Sequence, residues 1–167
     1  ARFYYESGAV QWVLPFSNDR QEGLALEYDE AGHRVSEAHF TRGKLTGDLI
    51  RFNPEGRTQA ITPHLAGLKH GVEREYGIAG GLSTETEYRK GLMHGPRREY
   101  REDGTLQVFW KYVDGKAEGD KVWFFSDGRT NGTVPYRGGK QNGLSRILNR
   151  SGAVVMEIPW KRGVKEG

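Results

Sequence analysis

The residues whose types invite chemistry are five histidines and a crowd of carboxylates. His70 and His94 stand 24 positions apart, with Glu118 another 24 on. If that spacing stacks them in one column of neighbouring hairpins, successive members lie about 9–10 Å apart, two strands at about 4.8 Å each. Zinc takes histidine nitrogens at about 2.0–2.1 Å, so the rings would have to lean strongly together. Surface histidines in turns are the plainer reading. His33, His39 and His64 read as polar rings standing in for Tyr or Phe.

The carboxylates Glu73, Glu75, Glu85, Glu87 and Glu99 could pair as general acid and base. They alternate with Arg74, Arg89, Arg97, Arg98 and Arg101, and on adjacent strands that pattern gives cross-strand ion pairing on a wet face. No nucleophile with a base and an orienting partner can be assembled, and the chain has no cysteine. None of its glycines forms a phosphate-binding loop of the G-x-x-x-x-G-K-[ST] or G-x-G-x-x-G kind. The expectation is a non-enzymatic chain with no catalytic residue, no metal and no cofactor.

The glycines do something else. A first aromatic recurs at Tyr4, Tyr28, Phe52, Tyr76, Tyr100 and Phe124, with Leu148 in its place in the last copy. Four residues after each comes Gly8, Gly32, Gly56, Gly80, Gly104, Gly128 or Gly152. A second ring falls at Phe16, Phe40, His64, Tyr88, Tyr112, Tyr136 and Trp160. It is followed by Gly43, Gly67, Gly91, Gly115, Gly139 and Gly163, with Asp19 in the first copy. A closing glycine falls at Gly23, Gly47, Gly71, Gly95, Gly119, Gly143 and Gly167. These columns hold 20 of the 24 glycines without an insertion, so the chain is a repeat array. The units are approximately 1–23, 24–47, 48–71, 72–95, 96–119, 120–143 and 144–167, in a single array over 1–167.

Within the fifth unit, two strands are expected at roughly 97–101 and 106–112. Leu106, Val108, Trp110 and Tyr112 alternate with Gln107, Phe109 and Lys111, the period-two mark of a strand with one buried face. Asp103-Gly104, Asp127-Gly128 and Ser7-Gly8 are hairpin signals, because glycine takes the positive φ the turn requires. Residues 114–119 turn the chain into the next hairpin. Proline at Pro15, Pro63, Pro135 and Pro159 cannot donate to a ladder, so regular pairing is expected to end there or the amide to face outward. The fold class expected is all-β, an elongated antiparallel meander of about seven stacked hairpins with essentially no helix.

The pattern Tyr-x-x-x-Gly followed by Tyr-x-x-Gly-Lys-x-x-Gly resembles the MORN repeat in its longer bacterial variant. Tyr100 to Gly104, Tyr112 to Gly119, Phe40 to Gly47 and Tyr136 to Gly143 carry the resemblance. It implies a stacked-hairpin fold and an interaction scaffold, with proteins, further copies of the chain or acidic phospholipids as partners. Bacterial proteins of this variant are often antitoxin-like or immunity-like. Departures gather in the middle: His64 replaces an aromatic, and Tyr76-Gly-Ile-Ala-Gly-Gly holds more glycine than a turn needs.

Charge and aromatics suggest where a partner could sit. Residues 137–167 carry seven Lys/Arg against two Glu, a balance of +5, so the rest of this +3 chain sums to −2. Such an end is either a solvated terminus or a surface for an acidic partner. Glu27, Arg51, Glu75 and Glu99 share an outward column, in which the sixth copy places Trp123, flanked by Phe125. Phe109 stands in another outward column. Large rings on a charged face mark a contact surface, or a face packed on a neighbouring edge or cap. Phe3, Tyr5 and Val13 read as capping of the N-terminal end.

The candidate partner-binding set is therefore Phe109, Trp123 and Phe125 with Arg137, Lys140, Arg146 and Arg150. The expected partner is a protein, an effector or toxin enzyme in the immunity-like reading. The alternative is a peripheral membrane adaptor on acidic phospholipid. Homo-oligomerisation through the sheet ends is compatible with either, and nucleic acid is not expected. No run of about 18 apolar residues is present to span a bilayer as a helix.

Overall fold

A computed structural model describes residues 1–166; Gly167, the last closing glycine, lies outside the described residues. Among the described residues the chain is all-β without a helix, and seventeen strands join one long, open antiparallel sheet. Seven main hairpins follow one another. They are Arg2–Tyr4 with Val10–Val13, Gly23–Tyr28 with Arg34–Thr41, Lys44–Phe52 with Thr58–Leu65, and Gly71–Tyr76 with Leu82–Arg89. Leu92–Tyr100 with Leu106–Val113, Lys116–Phe124 with Thr130–Arg137, and Gly143–Leu148 with Val154–Lys161 complete the series. A separate two-stranded ladder joins Phe16–Ser17 to Arg20–Gln21.

Two turn types alternate, each set by its glycine. The loop after the first aromatic is wide: in the fifth unit Gly104 N–H donates to the Arg101 carbonyl and Arg101 N–H to the Thr105 carbonyl. The glycine-rich loop Gly77–Gly81 keeps the same two bonds. The second connection is tighter than expected. Asp114 (φ 46°) and Gly115 (φ 80°) alone make the turn, and Lys116 already begins the next strand. Positive φ at both central residues belongs to the two-residue turn whose twist matches that of the flanking strands.

Proline acts as expected, and its effect is visible strand by strand. Opposite Pro63 the returning chain splits into Leu68–Lys69 and Gly71–Tyr76. Opposite Pro135 it splits into Lys140–Gln141 and Gly143–Leu148. Where the corresponding residue is His39, Glu87 or Lys111, the returning strand runs unbroken for nine residues. A missing ladder donor accounts for the gap.

Register defines the two faces, since directly opposed residues share one. One row runs Phe3, Trp12, Glu27, Ser36, Arg51, Ala60, Glu75, Thr84, Glu99, Val108, Trp123, Gly132, Ile147, Met156. Beside it lie Thr86, Arg97 and Trp110, paired in turn. This is the Trp110 face. On the other, the Phe109 face, Arg74, Glu85, Arg98, Phe109, Val122, Thr133, Arg146 and Glu157 stand in one row.

Burial is sparse because the sheet is one layer. The buried apolar residues are Ala25, Ala38, Ala60, Val108 and Trp110, all on the Trp110 face. Gly132 on that face has no room for a side chain: a Cβ there would stand 2.9 Å from the Arg146 carbonyl oxygen. The equivalent positions Ser36, Ala60, Thr84 and Val108 carry side chains, so this close approach is local. Gly132→Ala is expected to cost about 1–3 kcal/mol, the usual effect of overpacking. Urea denaturation reads it, and an unchanged midpoint would show that the two strands separate freely.

Candidate functional site

The middle of the Trp110 face carries alternating cations and rings. The Arg97 guanidinium lies 5.3 Å from the Trp110 ring centroid. Lys121 Nζ lies 4.2 Å from the Trp110 ring and 5.3 Å from Trp123. Trp110 and Tyr112 stand 6.0 Å apart and tilted. The ladder explains the order: Arg97 opposes Trp110, and Trp123 opposes Val108 one rung away. Arg97 is also paired with Glu99 at 3.2 Å. Neither Lys116 nor Lys121 has a carboxylate partner among the described residues. Both border a hollow of about 330 Å³ walled by Trp110, Tyr112 and Tyr136.

Further along the same face is a buried polar knot. Glu73, 6% exposed, accepts from Lys69 Nζ at 2.6 Å and from Thr62 Oγ1 at 2.8 Å. Lys69 Nζ also lies 4.7 Å from the Tyr88 ring. Burial pushes the Glu73 carboxyl up, but its bonds from Lys69 and Thr62 outweigh that and hold it below the usual range. Burial, then the Glu73 charge, raises the Tyr88 phenol. His64 completes the group, its Nδ1 2.8 Å from the Thr62 carbonyl oxygen.

Each end of this face is hollow. At the N-terminal end a trough of about 620 Å³ lies among Phe3, Trp12, Leu14, Phe40 and Leu49, with Glu27 and Arg51 beside it. At the C-terminal end a hollow of about 280 Å³ is bordered by Trp123, Ile147, Ile158 and Trp160.

The structure divides the candidate partner-binding set. Trp123 does not lie on the outward face with Phe109. It opposes Val108 and so shares the Trp110 face, whereas Phe109 opposes Arg98 and Val122 on the other. The column of Glu27, Arg51, Glu75 and Glu99 lies on the Trp110 face too. Charge did not mark the wet side, because this column shares its face with the buried residues, Glu99 standing opposite Val108. Phe125 opens the turn closed by Arg129, with the Arg150 guanidinium 5.3 Å from its ring. Arg146 bonds Glu157 at 2.9 Å on the Phe109 face, and Arg150 pairs with Asp127 at 3.6 Å. Arg137 and Lys140 face each other, exposed, across the Gly138–Gly139 turn.

Some of the acids and histidines settle into pairs. Glu85 sits between Arg74 at 3.3 Å and Arg98 at 3.9 Å, and accepts from the Tyr100 hydroxyl at 2.8 Å. His94 Nδ1 lies 3.1 Å from Asp114 Oδ1, while the Glu118 carboxylate accepts from Gly138 N–H. Among the described residues no group of three His, Asp or Glu side chains is placed to hold a metal ion.

Lys121 and the Lys69–Glu73 pair escaped the sequence reading. Their signal was the column Glu73, Arg97, Lys121, three charged residues at 24-residue spacing directly beside the Val108 and Trp110 parity. No family model matches the chain, and neither does any curated protein.

Proposed function

We propose that the chain is a non-enzymatic protein-binding scaffold that covers part of a partner with its Trp110 face. One observation carries the reading: a single-layer sheet presents Lys121 and Trp123 in a line over the buried Trp110, with a second lysine without a carboxylate partner, Lys116, bordering the hollow beside them. Trp, Tyr and Arg concentrate in the cores of protein contacts. The unpaired lysines call for an acidic surface opposite. The likeness of the spaced glycines and rings to MORN repeats supports a partner of the effector or toxin class. The chain would then act as an immunity-type or antitoxin-type protein, occluding the mouth of an active site.

A pull-down from source-cell lysate tests this, with Lys121→Glu and Trp123→Ala beside the unaltered chain. The expected result is one stoichiometric protein that survives a high-salt wash and is lost in both variants. A contact centred on an indole loses about 2–4 kcal/mol when truncated, some thirtyfold or more in affinity. Absence of a protein partner, with salt-sensitive retention on anionic vesicles, would overturn the reading in favour of the membrane adaptor. In that case Phe109, Trp123 and Phe125 could not all enter the interface together, because they lie on two faces and a turn.

A further inference from the structure

The C-terminal hollow differs from the larger N-terminal trough in one respect: it holds unpaired polar atoms. Its floor is the Gly132 backbone, and its apolar walls include Trp123, Val134, Ile147 and Ile158. Ser145 and Trp160 also border it, and neither Ser145 Oγ nor Trp160 Nε1 has a hydrogen-bond partner among the described residues though both atoms are buried. Ser145 is 5% exposed. The pairing explains how they meet. Trp160 opposes Gly143 and Ile158 opposes Ser145 on one ladder, so both side chains fall on the Trp110 face.

Buried polar atoms without partners are uncommon and costly. An indole N–H only donates, so whatever meets Trp160 must bring an acceptor; the Ser145 hydroxyl can donate or accept. The acceptor's charge is also constrained. Arg146 borders the hollow, but its side chain lies on the opposite face, bonded to Glu157 at 2.9 Å. Lys121 lies over the Trp123 ring at 5.3 Å but does not line the hollow, so among the described residues no free cation lines it, and burying an unpaired carboxylate is expensive. A peptide group brings one acceptor and one donor without charge.

We propose that this hollow takes an apolar side chain of a partner protein together with the uncharged peptide group beside it. The partner's carbonyl accepts from Trp160 Nε1, its side chain packs among Trp123, Ile147 and Ile158, and Ser145 Oγ bonds the same peptide group. The scaffold reading supplies the protein nature of the partner; the chemistry of the hollow stands on its own residues.

The test uses the free chain and N-acetyl-leucinamide, followed by NMR on the tryptophan indole N–H signals and the isoleucine methyls. A saturable shift at the Trp160 indole is expected. Ser145→Ala and Trp160→Phe, each checked for an unchanged circular-dichroism spectrum, should weaken binding by about fivefold to tenfold, the worth of a hydrogen bond. N-acetylglycinamide, lacking the apolar group, and N-acetyl-leucine, bearing a carboxylate, should both bind more weakly. No saturable response at Trp160, equal affinity in both variants, or tighter binding of the carboxylate would each overturn the proposal. A response to the amide from a chain that captures no protein would instead overturn the scaffold reading and leave the hollow's chemistry intact.

Discussion

A Trp110→Ala chain is expected to lose about 3–5 kcal/mol of stability, the range for removing a buried large aromatic. Trp110 is 8% exposed and is by far the largest buried apolar side chain, the others being three alanines and Val108. A single-layer sheet has few positions where a ring is covered, and here the cover is neighbouring side chains. Arg97 and Lys121 lie over the ring, and Tyr112 leans against it. Truncation removes the transfer energy and both cation contacts, the latter about 0.5–1 kcal/mol each. Because each hairpin rests mainly on its neighbours, the loss should act locally. Hydrogen exchange should quicken first in Leu92–Tyr100 and Lys116–Phe124, which flank the Trp110 strand. Trp110→Phe should recover most of the stability. A loss below about 1 kcal/mol in denaturant titration would show that the ring is not what anchors these hairpins.

The hairpin series was legible because its causes are local. A glycine at positive φ recurs in every copy, and a ring five residues after another glycine in the second to sixth copies. The 24-residue period then maps each column onto one ladder row, so Tyr88 opposing Gly71 and Tyr112 opposing Gly95 follow from spacing alone. Proline was legible for a similar reason, since a missing donor acts on the residue opposite. What the period could not convey was facing. The Glu27 to Trp123 column looked outward because it is mostly charged, an inference that holds for a sheet covered on one side. Here Glu99 and Val108 are direct neighbours on the face that carries the buried residues, so the charge of one column does not reveal its side. Trp123 was thereby grouped with Phe109, although the pairing of Trp123 with Val108 separates them.

The side-chain chemistry was harder to read, because it depends on which long side chains reach across rungs. Lys69 belongs to a strand of two residues isolated by the Pro63 gap, yet its ammonium reaches Glu73 on the next strand. Ser145 and Ile147 look unremarkable in sequence. Only the closeness of Gly132 to the Arg146 carbonyl, and the ring of Trp123 beside it, creates a hollow in which a serine hydroxyl has no partner.

Lys69→Met is expected to destabilise the chain by about 3 kcal/mol, more than any surface ion pair would explain. Exposed pairs are worth about 0–1 kcal/mol, but breaking a buried one costs about 3–5 because the other charge is left uncompensated. Lys69 is 37% exposed at its side chain, which places the effect at the low end. Acid titration separates the two origins. In the unaltered chain the Glu73 carboxyl is held below its ordinary value of 4.5. Its stabilising contribution is therefore present above that value and lost as pH falls through the lower folded value. Without Lys69 only the hydrogen bonds from Thr62 and Tyr88 oppose the burial, so the carboxyl is expected to rise and the variant to lose less stability on acidification than the unaltered chain. Lys69→Met combined with Glu73→Met should recover most of the loss, since a packed apolar pair can replace a buried ionic one. Thermal melting of the three chains from mildly acidic to neutral pH decides it. If Lys69→Met and the unaltered chain fall in parallel on acidification, then Lys69 does not compensate the Glu73 charge, and the pair contributes no more than an exposed one.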